Sequence, residues 1–154
     1  MTPLIRANLL VFGLLIVHTL DHAVNQPARD LPVTGSLVAV VGFAIVAGAA
    51  VLALNRSRFA VAASSLAGLL TAAGILAIHL APRWSEPLSD PYWEFDPNAL
   101  SWILLIAPLA AALYLAYVAM RGSSGSGQPP LSAARGSEYA GVGGNQRQHP
   151  PQRP

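Results

Sequence analysis

Cysteine is absent from the sequence, which excludes disulfides, thiolate metal sites and a cysteine nucleophile. Sulfur enters only through Met1 and Met120, too little for a thioether copper(I) site. Lysine is absent as well, so the formal net charge of +2 rests on arginine alone. The arginines are dispersed, and no basic cluster interleaved with aromatics offers a surface for DNA or RNA. Nucleic acid is therefore not an expected partner. Charge of either sign is scarce: 10% of residues are charged, where a soluble domain carries about 25%. No Ser-His-Asp arrangement, phosphate loop or nucleotide motif is visible, so the sequence assigns no enzyme class.

What takes the place of charge is apolar sequence. Four runs, residues 4–25, 34–54, 59–80 and 99–120, each approach the ~20 residues that cross a bilayer. They predict an all-α fold, a four-helix transmembrane bundle over residues 1–120. The first run has the early arginine and apolar core of a secretory signal. However, "HTLDHAVNQPA" lacks the paired small residues of a cleavage site, so it is expected to stay as a helix. After Met120 the composition turns to Gly, Ser, Pro and Gln. Such a segment buries too little surface to offset its ordering entropy, and residues 121–154 are expected to form a disordered tail. His149 lies there and is given no role.

Arg6, Arg56, Arg58 and Arg121 flank one end of the runs. Arg29 and Arg83 flank the other, together with Asp30, Glu86, Asp90, Glu94 and Asp96. Positive flanks favour the cytoplasm, which predicts a multi-pass protein of the cell membrane with both termini cytoplasmic. Trp84, Trp93 and Trp102 then mark the outer interface, and Tyr114 and Tyr117 the inner one. The expected partners are the lipid bilayer and other membrane subunits. Ser57, Thr34 and Asp96 (before Pro97) read as helix N-caps. Arg29–Asp30 and Arg83–Glu86 read as surface pairs, and Tyr92, Trp93 and Phe95 as interfacial anchors or, together with "DPYWEF", a lid.

Lipid is as apolar as leucine, so membrane helices meet through small residues and buried polar contacts. Gly35, Ala39, Gly42, Ala49 and Ala53 share one face of the second run. Ser64, Ser65, Gly68, Thr71, Ala72 and His79 share a face of the third. These are the expected contact stripes. Pro108, midway along the fourth run, removes the hydrogen bond to the Leu104 carbonyl and predicts a bend there.

One stretch departs from this pattern. "HTLDHAVNQP" sets His18 and His22 one helical turn apart, with Asp21 and Asn25 in the same arc. An ionisable residue inside an apolar span is a candidate functional residue by default. At 1.5 Å per residue the two histidines rise about 18 to 24 Å above Arg6, and His79, counted up from Arg58, reaches a similar level. Three readings follow. His18, Asp21, His22 and His79 form an outer-leaflet site for a divalent transition metal (Zn, Ni, Co, Fe or Cu), with Asp21 as fourth ligand or outer acceptor. Or His79 and a histidine of the first run hold haem b. Or an Asp–His pair merely locks the first helix against the third, in a non-catalytic accessory or scaffold subunit. Glu86, Asp90 and Glu94 could attract cations from above.

Overall fold

The computed structural model describes residues 1–25, 33–86, 88–94 and 96–124, without the side chains at 25, 33–36 and 123–124. Within them every regular element is helical: α1 (Pro3–Asn25), α2 (Val33–Leu54), α3 (Ala60–Ile75), a π turn (Leu76–Leu80), a 3-10 turn (Tyr92–Glu94) and α4 (Ala99–Ser124). Four helical stretches, Pro3–Val24, Leu37–Leu54, Ala60–Leu80 and Ala99–Gly122, are long and apolar enough to cross a membrane.

Local chemistry explains the ends. Thr2 caps α1: its Oγ1 accepts from Ile5 N at 3.4 Å and its carbonyl from Arg6 N at 3.2 Å, with Pro3 at the first helical position where its missing N–H costs nothing. At the other end of α2, Ser57 N donates to Leu52 O at 2.9 Å and Arg56 N to Ala53 O at 3.1 Å. This paired closure is a Schellman motif, and it holds Arg56 at a left-handed φ of 52°. Ser57 does not cap α3 in the expected way. Phe59 occupies the N-cap position, and Ser57 instead bonds Phe59 N through its Oγ at 3.3 Å and Ala60 N through its carbonyl at 3.0 Å.

The cap of α4 also differs from expectation. Asn98, not Asp96, takes the position: its Oδ1 accepts from Ser101 N at 2.9 Å and its carbonyl from Trp102 N at 3.2 Å. Asp96 sits at a left-handed φ of 50°, away from the extended conformation that an N-cap and a residue before proline both favour. α4 in turn runs through residues 121–124, past the expected boundary at Met120. The Arg121 guanidinium lies 4.7 Å from the Tyr117 ring centroid, one turn back, where a cation also favours the C-terminal helix dipole. The side chain of Thr34, residues 29–30, and the tail beyond Ser124 lie outside the described residues.

The helices form a ring in which α1 and α3 each pack on α2 and α4, while α1 and α3 face each other across the diagonal. Small residues set the spacing. Ala7, Ala49, Ala67 and Ala111 join Val11, Val46 and Leu115 in the central core. Of the expected stripes, Ala49 and Ala53 on α2 and Ser64, Gly68 and Ala72 on α3 are buried. Ala39 is exposed, and so are Leu37, Val38, Val40 and Val41 around it, so the stripe on α2 is a contact face only in its second half. Pro108 is fully buried inside α4.

One polar contact crosses the diagonal near the Arg6 end. Asn8 Nδ2 donates to Ser64 Oγ at 2.9 Å and to Leu4 O at 2.9 Å, with both side chains fully buried. A double-mutant cycle of Asn8→Ala and Ser64→Ala, read by melting in detergent, is expected to give a coupling of about 0.6 kcal/mol, and at most about 1.7. Strict additivity of the two variants would show that the contact contributes nothing.

Candidate metal centre

At the opposite end, α1 and the π turn bring three imidazoles together. His18, His22 and His79 each offer a ring nitrogen, and these atoms lie within 4.8 Å of one another. Ring centroids are 4.6 Å apart for His18–His22, 5.4 Å for His18–His79 and 5.2 Å for His22–His79. His18 and His22 meet because i and i+4 stack on one helical face. His79 meets them because α3 changes pitch. Ala81 N closes back on Leu76 O at 2.7 Å, five residues earlier, and such wide turns are frequent at functional sites.

His79 is oriented from outside the cluster. Its Nδ1 is 3.1 Å from the Asp90 carbonyl oxygen and 3.9 Å from the Asp90 carboxylate. In that geometry Nδ1 carries the proton and donates to the carbonyl, which leaves the lone pair on Nε2. Asp90 is itself fixed, its N–H donating to Ile78 O at 2.7 Å. His18 is buried, and its Nδ1 has no hydrogen-bond partner among the described residues.

Asp21 is buried but does not join the three-histidine group. Its Oδ1 accepts a 3.1 Å hydrogen bond from Ser101 Oγ on α4. Asp21 thereby ties α1 to the fourth helix. Asp21 still acts electrostatically on His18, as an acceptor beside the cluster. The side chain of Asn25 lies outside the described residues.

Two further residues belong to the centre: one lies in the segment expected to be an interfacial anchor or a lid, and the other carried no expectation. Tyr92 is not an interfacial anchor: it is 1% exposed, and its ring lies 6.4, 5.8 and 5.4 Å from those of His18, His22 and His79. Trp102 backs it at 5.4 Å. Ser101, which anchors Asp21, is the second. Of the neighbouring aromatics Trp93 is exposed, and Phe95 lies outside the described residues.

The segment carrying Tyr92 is braced in several places. Arg83 pairs with Glu94, not with Glu86, through Nη2 and through a 3.1 Å bond from Nε. That hydrogen bond pushes the Arg83 guanidinium above its ordinary pKa. Trp84 Nε1 donates to Ala77 O at 2.6 Å and Trp84 N to Ser89 Oγ at 3.4 Å. The lid reading of "DPYWEF" pointed here, since Asp-Pro opens turns and the tyrosine follows at once. Chemically the arrangement is a nitrogen-rich, carboxylate-flanked pocket. A tetrahedral ion with bonds of about 2.0–2.1 Å to nitrogen wants its ligands about 3.3 Å apart, so small side-chain rotations would close the three imidazoles onto it. No protein-family model, curated protein or solved structure matches the chain.

Proposed function

We propose that this chain is a four-pass protein of the cell membrane, both termini cytoplasmic, that holds one divalent transition-metal ion on His18, His22 and His79 near the outer face. The observation that carries the reading is the set of three imidazole nitrogens within 4.8 Å, drawn from two helices in an apolar bundle. Isolated ionisable groups are costly in such a setting, and a shared ion turns their convergence into a gain.

Charge supports a divalent ion. Three neutral imidazoles leave its +2 unbalanced, and the carboxylates of Asp21 and Asp90 stand beside the cluster to offset it. Imidazole suits zinc, nickel, cobalt, iron and copper, and the donor set selects no further among them. Three protein ligands keep a fourth position for water or a bound molecule, the pattern of open zinc sites. Tyr92 packed against all three rings favours a compact ion over the flat macrocycle of haem.

The test is a metal titration of the full-length protein, purified in mild detergent and stripped with chelator. One equivalent of zinc or cobalt per chain is expected, with cobalt giving the visible bands of a tetrahedral site. Binding well below one equivalent would leave a scaffold subunit locked by Asp21–Ser101 and Asn8–Ser64. Asp21→Asn separates charge from structure, because the amide oxygen can still accept from Ser101. Its metal affinity is expected to fall about tenfold with the melting temperature little changed. An unaltered affinity would remove Asp21 from the centre.

A further inference from the structure

The end of the bundle away from the histidines carries Arg6, Arg56, Arg58 and Arg121, all exposed. Core contacts bring them to one level. Ile5, Ala53 and Ala60 pack together, joining the start of α1 to the turn between α2 and α3. Gly68 of α3 abuts Ala112 and Ala116 of the antiparallel α4, which carries Arg121 to the same end. Among the described residues no acidic side chain lies there: Asp21, Glu86, Asp90, Glu94 and Asp96 all belong to the histidine end. None of the four arginines forms an ion pair with a described residue. Arg58 and Arg121 rest instead on aromatic faces, 4.6 Å from the Phe59 centroid and 4.7 Å from that of Tyr117. Stacking of that kind holds a guanidinium in place while its N–H edge stays available to an outside acceptor.

Arg56 adds an independent observation. It fills the left-handed position of the Schellman turn, φ 52°, where glycine fits without strain. Backbone bonds alone close that turn, so the turn itself has no need of a side chain at 56. An arginine held in a disfavoured conformation points to a use outside the turn.

We propose that these four arginines form a binding surface for the phosphate headgroups of anionic phospholipids in the adjoining leaflet. Guanidinium matches phosphate with paired N–H donors, and each basic residue near an anionic leaflet strengthens binding about fivefold. The inference rests on the membrane reading above and is independent of the metal.

The experiment reconstitutes the full-length protein into vesicles of equimolar phosphatidylglycerol and phosphatidylcholine, extracts it in mild detergent and counts retained lipid by mass spectrometry. Phosphatidylglycerol is expected to exceed phosphatidylcholine about tenfold at low salt, with the excess collapsing near 1 M salt as charges are screened. Arg56→Gly is expected to cut the enrichment about fivefold while the melting temperature holds or rises. Arg58→Gln should cut it similarly. Equal retention of the two lipids, or enrichment that neither variant changes, overturns the inference. So does inorganic phosphate that displaces the retained lipid at millimolar concentration, which would mark a site for the free anion. Incorporation with retention of the two lipids in equal amounts overturns this inference alone, whereas failure to incorporate into the vesicles overturns the membrane reading with it.

Discussion

His79→Ala is expected to weaken divalent metal binding by roughly a hundredfold or more. Structural zinc sites with four ligands gain about 10–16 kcal/mol on binding, or about 2.5 to 4 kcal/mol per ligand, and a hundredfold corresponds to about 2.7 kcal/mol. His79 is the ligand to remove because it is the sole contribution from the α3 side. His18 and His22 alone, one turn apart on α1, can hold an ion only as a two-point clip. The change also strands the Asp90 carbonyl that orients the ring, so folding must be read alongside affinity. Cobalt bands lost with an intact helical spectrum and an intact Asn8–Ser64 coupling would locate the defect at the centre. His149→Ala, in the tail, is the matched control and should bind like the parent. Equal affinity of the parent and His79→Ala would remove the three-histidine site.

Much of the architecture is legible because it depends on local periodicity. Uninterrupted apolar runs near bilayer length give the helices directly, and the short "NRSR" link fixes α2 and α3 as antiparallel neighbours. The height argument that brings His18, His22 and His79 to one level needs nothing beyond 1.5 Å per residue counted from that shared end. Side-chain partners are different, because they depend on which helix face meets which. Asp21 finds Ser101 across 80 positions of sequence, and a lone serine near the start of an apolar run carries no mark of that role. Tyr92 reads either as an interfacial aromatic or as part of a lid, and only the folded loop decides between the two. The π turn at Leu76–Leu80 is likewise invisible in "LAIHL". Asn98 in place of Asp96 was decided by competition between adjacent capping residues around Pro97, which sequence alone leaves open. The contact stripe on α2 fails at Ala39 because a stripe of small residues permits close approach without requiring it.

Gly68 shows where that permission becomes a requirement. A Cβ added there would stand 2.6 Å from Ala112 O and 2.8 Å from Ala116 N. Both are backbone atoms of a helix, so no rotamer change relieves the clash, and α3 and α4 must move apart. In lipid the opened seam brings no hydrophobic gain, since association there depends on the close packing that is lost. Gly68→Ala is expected to destabilise the bundle by about 1–3 kcal/mol, and Gly68→Leu to prevent its assembly. Gly74→Ala is the control: nothing lies within 4 Å of its added Cβ, and replacing a mid-helix glycine adds up to about 1 kcal/mol of helix preference. Its melting temperature in detergent should hold or rise while that of Gly68→Ala falls. The centre should feel the difference as well, because His79 hangs from α3 while Ser101, which anchors Asp21, belongs to α4. Separation of those two helices is therefore expected to weaken metal binding in Gly68→Ala with every ligand still present. Matching melting temperatures for the two glycine variants would mean that the α3–α4 crossing is looser than the 2.6 Å approach requires, and the link from packing to site would fall with it.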